Sequence, residues 1–344
     1  MPEPTLISLF SGAGGLDLGF EWAGFRTIWA NEFDKQIWAT FKHSFPKTPL
    51  EQRSITDIDL HQLPKTTGLI GGPPCQSWSE AGTGRGFADA RGKLFDNYIR
   101  VLKHTQPLFF VAENVSGILH SKHRAVVQGF LEDFRLAGYS VSVVEVNAHD
   151  YGVAQERHRV FFVGYRTDTG KVFQMPEVQP VRLSLRDAIW DLQDNATAAL
   201  EKNYANRKLD IANHEYWQGD FSSHYLSRNR VRTWNEPSFT IQASGRHAPM
   251  HPQAPRMEFV QPDLFRFAVG QEQMYRRLTV REAARVQSFP DSFVFLYKNL
   301  ADGYKMVGNA VPPKLAQVIA RQIRADLIDS SFIPTLPAQL PLLI

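Results

Sequence analysis

The sequence predicts an α/β fold: a mostly parallel sheet with helices on both faces, interrupted late in the chain by a smaller inserted segment. Three observations predict it. Short apolar runs alternate with helical spacing through the first 165 residues, and a glycine-rich turn joins the first run to the first helix. The alternation then lapses from about residue 166 to 275 and returns afterwards.

Taken in order, "TLISLF" (5–10) is a short apolar run, "SGAGG" a turn, and "LDLGFEWAGF" has helical spacing. "RTIWANE" (26–32) reads as a second strand. "GLIGG" (68–72), "LFFVAEN" (108–114), "SVSVVEV" (140–146) and "RVFFVGY" (159–165) continue the strand series, with a helix near 121–137. From 166 to 274 helical fragments give way to polar, aromatic and proline-rich stretches. Helical order returns at "LTVREAARVQSF", where Thr279 and Glu282 have capping-box spacing and Pro290 lies past the stop. In "PKLAQVIARQIRADLI", Leu315, Val318, Ile319, Ile323 and Leu327 fall on one stripe behind Pro313. The predicted organisation is therefore a cofactor-binding domain over 1–165, an inserted domain over 166–274, a return to the first domain over 275–330, and a surface tail over 331–344.

A chain of 344 residues with 43% hydrophobic residues can bury a large core, and it is long enough for one large and one small domain. No basic, apolar leader opens it, and no apolar stretch approaches the ~20 residues of a membrane helix. One cysteine cannot close an internal disulfide, which fits a reducing, cytoplasmic setting. The net charge of +3 permits a polyanionic partner without requiring one.

Four features carry candidate chemistry. Gly12, Gly14 and Gly15 follow the first strand and open a helix, the layout of a nucleotide-type cofactor site or of a turn that serves packing alone. Glu32 lies about 20 residues on, where an acid meets ribose hydroxyls, but Asp17 stands in place of the third glycine of a dinucleotide fingerprint. A smaller nucleoside cofactor without phosphate fits better. Cys75 follows Pro73 and Pro74 and heads a polar, glycine-rich loop whose Arg85, Arg91 and Lys93 supply positive potential; with an ordinary pKa of ~8.5 a thiol needs such help to attack at neutral pH. Glu113 ends an apolar strand, where a partly buried carboxylate suits a proton donor. Arg157 and Arg159, two apart, would share one face of a strand and could hold a carboxylate or a substrate carbonyl.

In this order, "FSGAGGLDLGFEWAGF", "NE" at 31–32, "GGPPCQSWS", "ENV", "QERHRVFFVG", "RRLTVREAARVQSFPD" and "GNAVP" resemble the motif set of the cytosine-5 DNA methyltransferases, from residue 6 to about 325. The resemblance implies a Rossmann-like S-adenosylmethionine-dependent methyltransferase domain with a small target-recognition domain inserted before the last motifs. It implies Cys75 as the nucleophile, Glu113 as the group protonating or hydrogen-bonding the ring nitrogen, Arg159 holding the base carbonyl and the glutamate, and Arg157 supporting the site. It places Phe10, Gly12, Gly14, Gly15, Glu32, Ile55, Pro74 and Asn309 around S-adenosylmethionine, with S-adenosylhomocysteine as product and no metal. Gln76, Ser79, Arg85, Arg91 and Lys93 would meet DNA as their loop closes over a flipped base. Where the family usually has an Asp before an Ile, this chain has Ser54 before Ile55, with Asp57 three residues on; the adenine contact stays open between them.

The inserted segment 166–274 holds thirteen Arg plus Lys and thirteen Asp plus Glu. Within it, residues 224–256 carry Arg228, Arg230, Arg232, Arg246 and Arg256 against Glu236 alone, and no lysine. Arginine suits bidentate contact with guanine edges and phosphates, although a solvated loop could look the same. This stretch resembles the recognition domain of HaeIII-type methyltransferases, which implies the inner cytosine of GGCC as target, with Arg228, Arg230, Arg232 and Arg246 on double-stranded DNA. A cognate restriction endonuclease acting on the same site and no obligate protein partner complete that reading. The alternatives are a tRNA cytosine-5 methyltransferase with the same chemistry, a non-catalytic DNA-binding regulator, and a nicotinamide oxidoreductase. The intact cysteine, glutamate and arginines speak against the regulator, and Asp17 speaks against the oxidoreductase.

Overall fold

Seven strands form one sheet in the order β3-β2-β1-β4-β5-β7-β6. They are β1 (Thr5–Leu9), β2 (Arg26–Asn31), β3 (Leu50–Glu51), β4 (Gly68–Gly71), β5 (Phe109–Val115), β6 (Tyr139–Asn147) and β7 (His158–Arg166). The computed structural model describes residues 3–74, 92–178 and 180–328. Eight helices accompany the sheet among these residues: α1 (Gly15–Trp22), α2 (Trp38–Ser44), α3 (Gly92–Thr105), α4 (Arg124–Leu136), α5 (Leu185–Ile189), α6 (Val280–Val286), α7 (Leu300–Asn309) and α8 (Pro313–Ile328).

Strand alternation explains the layers. On β5, Phe109 and Val111 join a core with Leu16 and Phe20 of α1 and Leu315, Ile319 and Ile323 of α8. Phe110 and Ala112 point to the opposite face, against Tyr98 and Leu102 of α3 and Phe130 and Phe134 of α4. Burying each phenylalanine contributes roughly 2–3 kcal/mol, so the near-continuous apolar run is what a strand covered on both sides requires. Helix α6 begins at the expected capping box, with the Glu282 amide donating to Thr279 Oγ1 at 3.0 Å and the Thr279 amide to Glu282 Oε2 at 2.8 Å.

β1, β2, β3, β4 and β5 run parallel, whereas β7 is antiparallel to both β5 and β6. The cause is the connection. Residues 148–157 hold one turn of 3-10 helix and no α-helix, too little for a parallel crossover. The consequence is functional: the N-terminal end of β7 lies beside the C-terminal ends of β1, β4 and β5. The strand order also reverses there, because β2 lies on one side of β1 and β4 on the other, and such a switch point leaves a crevice outside the strand ends.

The region after β7 is irregular, with two small sheets, β8 (Thr197–Ala198) with β9 (Glu215–Tyr216) and β10 (Glu258–Gln261) with β11 (Leu264–Arg266). Packing does not follow the sequence boundaries at 166 and 275. Leu185, Ile189, Leu192, Ala199 and Ile241 share a core with Leu278, Ala283, Tyr304 and Val307, and with Ala13 and Phe41. A separate core holds Tyr225, Val231, Met250, Met257 and Tyr275. The predicted tail, 331–344, lies outside the described residues.

Candidate active site

The glycine turn sits at the switch point. Phe10 leaves β1 in a left-handed conformation (φ 52°), as do Gly12 (φ 57°) and Gly14 (φ 91°), and a side chain at Gly14 would also strike the Phe45 ring at 2.2 Å. A Cβ at Gly12 would meet nothing within 4 Å, so the turn faces open space. Gly15 lies against the returning C-terminal segment, where a Cβ would stand 2.3 Å from the Val311 carbonyl oxygen. "GNAVP" thus comes back beside the turn, with Asn309 exposed at the end of α7.

Glu32, just past β2, is fixed by backbone donors. The Gly12 amide donates to its Oε2 at 2.9 Å and the Asp34 amide to its Oε1 at 2.7 Å. Burial still raises its pKa, against those two hydrogen bonds. The Gly14 amide is likewise spent, on the Ser11 carbonyl. Two of the turn's donors are therefore used internally and are not free for a pyrophosphate. The neighbours of Glu32 extend this site: Phe33 is 70% exposed, and Asp34 pairs with Lys305 of α7 at 2.5 Å. An exposed phenylalanine next to a predicted ribose-binding acid was a visible signal. Ile55 is buried in the core, so only its backbone could meet a ligand. Ser54 heads the same 3-10 turn half-buried, and Asp57 ends it exposed.

Glu113 and Arg159 meet across the β5–β7 ladder. Glu113 is opposite Phe161 and Val115 is opposite Arg159, so the two side chains share one face on a diagonal. Arg159 Nε lies 2.8 Å from Glu113 Oε1, with both side chains largely buried. Burial raises the Glu113 pKa above the ordinary carboxylate range, opposed by the charges of Arg159 and Arg157. Burial is the larger cause, the residue being only 9% exposed. The Pro-Pro turn leans on this pair: a Cβ at Gly72 would lie 3.2 Å from Glu113 Oε2, and Asn114 Nδ2 donates to the Pro73 carbonyl at 3.5 Å. Pro74 is half-buried. Cys75, Gln76, Ser79, Arg85 and Arg91, and the side chain of Lys93, lie outside the described residues.

Arg157 corrects one expectation. It precedes β7, and its side chain does not join Arg159 on the sheet face. Fully buried, it donates to the carbonyls of Ile241 at 3.0 Å, Gly308 at 2.7 Å and Ala310 at 3.1 Å. It ties the inserted segment to the segment behind the glycine turn.

Between the N-terminal end of β7 and the inserted segment lies a cleft of about 420 Å³, lined among others by Asn147, His158, Arg228, Arg230 and His247. Arg228 and Arg246 are exposed. Two of the four arginines expected on DNA are occupied within the protein. Arg230 Nε donates to the Tyr225 carbonyl and its Nη2 to that of His224, while Arg232 pairs with Glu156 and Glu236. In the fold, Arg230 lines the cleft with its guanidinium already spent, and Arg232 holds the cleft residue Glu156.

The model of C-5 cytosine-specific DNA methylases matches residues 5–325. The Type II methyltransferase M.NgoPII of Neisseria gonorrhoeae is 54% identical over 94% of this chain and 96% of its own length. The Type II methyltransferase M.FnuDI of Fusobacterium nucleatum is 52% identical over 94% and 95%. In fold, the crystal structure of a prophage-encoded protein from E. coli superposes with a TM-score of 0.73 at 24% identity, over 94% of this chain and 99% of the other. Since the glycine turn, the Glu113–Arg159 pair and the returning C-terminal segment all fall within the matched span, the chain belongs to the C-5 cytosine-specific DNA methylase family.

Proposed function

We propose that this chain methylates carbon 5 of a cytosine flipped out of duplex DNA, the inner cytosine of GGCC, using S-adenosylmethionine, and protects that DNA from a restriction endonuclease acting on the same site. The observation that carries the reading is the buried Glu113–Arg159 pair beside the Pro-Pro turn, with β4 between its strand β5 and the glycine turn that is open above Gly12.

The described residues fit the cofactor. Glu32 retains lone pairs for ribose hydroxyls beyond its two backbone donors, Phe33 offers an aromatic face to an adenine, and the spent amides of the turn suit a nucleoside without phosphate. Phe10, Gly14, Gly15, Pro74 and Asn309 frame the same space. The bound cofactor supplies an electrophilic methyl group on a sulfonium. The protein's task is to make a poorly nucleophilic ring carbon reactive. The Cys75 thiolate adds to the ring carbon next to carbon 5, while Glu113 delivers a proton to the ring nitrogen, so the ring becomes an enamine with charge balanced. Burial, which raises the Glu113 pKa, favours the protonated form that this step needs. Arg159 holds the Glu113 carboxyl and the base carbonyl. Once carbon 5 carries the methyl group, loss of its proton to water, expulsion of the Cys75 thiolate and return of the ring-nitrogen proton to the Glu113 carboxylate restore the aromatic ring.

For the target, Arg228 and Arg246 are the free readers, and every base pair of GGCC presents a guanine edge suited to arginine. The test is bisulfite sequencing of a plasmid incubated with protein and S-adenosylmethionine. Methylation at the inner cytosine of GGCC is expected, with Cys75→Ser inactive and wild type covalently trapped on 5-fluorocytosine duplex. Methylation confined to other sites overturns the target. Transfer to tRNA but not to duplex DNA overturns the substrate.

A further inference from the structure

The segment following the catalytic strand carries charge that the proposed chemistry does not use. From Asn114 to Leu131 the chain contains no aspartate or glutamate, while His120, Lys122, His123 and Arg124 crowd into five residues. Ser116–Leu119 and Ser121–His123 form two short 3-10 turns at the C-terminal end of β5, and Arg124 is the first residue of α4. Ile118 anchors this stretch by burying itself in the core under α3 and α4, so the turns are held at the sheet edge where Glu113 and Arg159 open. His120, Lys122 and Arg124 are exposed around that anchor.

Most arginines of this protein are committed internally. Among the described residues, the guanidinium groups of Arg124, Arg207, Arg228, Arg246 and Arg321 make no hydrogen bond or ion pair, and the Lys122 ammonium makes none either. Three of those five arginines belong to the cleft wall or to segments next to it or to the C-terminal end of β5. Arg228 lines the cleft on the inserted-segment side, Arg246 precedes the cleft residue His247, and Arg124 stands on the other flank, beyond β5. Unpaired cations on both the inserted segment and the segment that follows β5 suit a rod-like polyanion, since a duplex presents phosphates on both flanks of any base it exposes.

We infer that Lys122 and Arg124, with His120 beside them, form a second DNA-backbone contact on the catalytic side, gripping phosphates flanking the target while the inserted segment reads bases. The inference rests on the proposed action on duplex DNA. Contacts to phosphate position the duplex and carry no sequence information, so they act on salt dependence rather than on site choice.

The test compares wild type, the double variant Lys122→Gln/Arg124→Gln and the control Arg321→Gln, measuring Kd for one GGCC duplex from 50 to 200 mM salt, and then methylation by bisulfite sequencing. Both exchanged side chains are exposed and unpaired, so folding is expected to be unchanged, with circular dichroism as the check. The slope of log K against log salt is expected to fall by about 2 in the double variant, so that its affinity loses about ten-fold less than wild type across this range. Site choice should stay unchanged, and the control should keep the wild-type slope. A double variant with the wild-type slope, beside a wild type that binds and methylates the duplex, overturns this contact alone. An equal fall in the Arg321→Gln control reduces it to a net-charge effect and overturns it too. A wild type that neither binds nor methylates the duplex overturns the functional reading beneath it.

Discussion

At the scale of single residues, Glu113 has its position decided by sheet register and its chemistry by burial. Register sets it diagonally from Arg159, and burial raises its pKa although the guanidinium pulls the other way. A carboxyl that must give a proton is active in its protonated form, so turnover should decline as pH rises through the Glu113 pKa. On the proposed mechanism, the acid limb belongs to formation of the Cys75 thiolate. Glu113→Gln keeps the size and a hydrogen-bond donor but has no acidic proton. We expect kcat to fall by about 10²–10⁴-fold, the usual weight of general acid catalysis, with duplex affinity little changed and the alkaline decline attributable to Glu113 gone from the pH–rate profile. A variant within a few fold of wild type would mean that hydrogen bonding alone activates the ring.

At the scale of elements, the strands were legible because each is a short apolar run between turn residues, and the capping box at Thr279–Glu282 marked α6 to the residue. The direction of β7 was not legible, since an apolar run carries no sign of its partner's orientation. Helices α3 and α7 were not anticipated either, although Phe95, Tyr98, Ile99 and Leu102 of α3 recur at helical spacing and are buried. Arg157 shows the same limit at a side chain: the rule that residues two apart share a face holds only within a strand, and β7 begins one residue later. What Arg157 does instead predicts its mutational behaviour. It satisfies three buried carbonyls from two distant segments, and a lysine cannot reproduce that fork. Arg157→Lys should cost about 2–4 kcal/mol in denaturant unfolding. It should also raise the Kd for S-adenosylmethionine through Gly308 and Ala310, with the Glu113-dependent pH limb unmoved. A shift in that limb would place Arg157 in the chemistry after all.

At the scale of the molecule, the inserted segment and the returning helices are joined by buried polar groups as well as by the shared core. Glu282 of α6 accepts both terminal nitrogens of Arg276 at 2.8 Å and lies 3.5 Å from His251 Nε2. His214 Nδ1 meets Thr279 Oγ1 at 3.0 Å, and its Nε2 meets the Leu192 carbonyl at 2.9 Å. Burial lowers the pKa of both histidines, that of His251 to about 4, despite the Glu282 charge, while Arg276 pairing holds the Glu282 carboxyl below its ordinary range. The sign follows from proton counts. Between pH 4 and 6.5 the unfolded chain binds a proton at position 251 that the folded chain refuses, so acidification favours unfolding, by up to about 3 kcal/mol for this residue. His214 adds to the loss below pH 6.5, and Glu282 adds to it below pH 4.5, where only the unfolded carboxyl is protonated. Urea unfolding at pH 7.5, 6.5, 5.5 and 4.5 should therefore show stability falling mainly below 6.5. His251→Asn, which has no titrating group in that window, should be less stable at pH 7.5 but show a shallower fall. A wild-type fall in the variant would remove His251 as the source, and a wild type equally stable at 4.5 and 7.5 would mean that this buried cluster admits protons without opening.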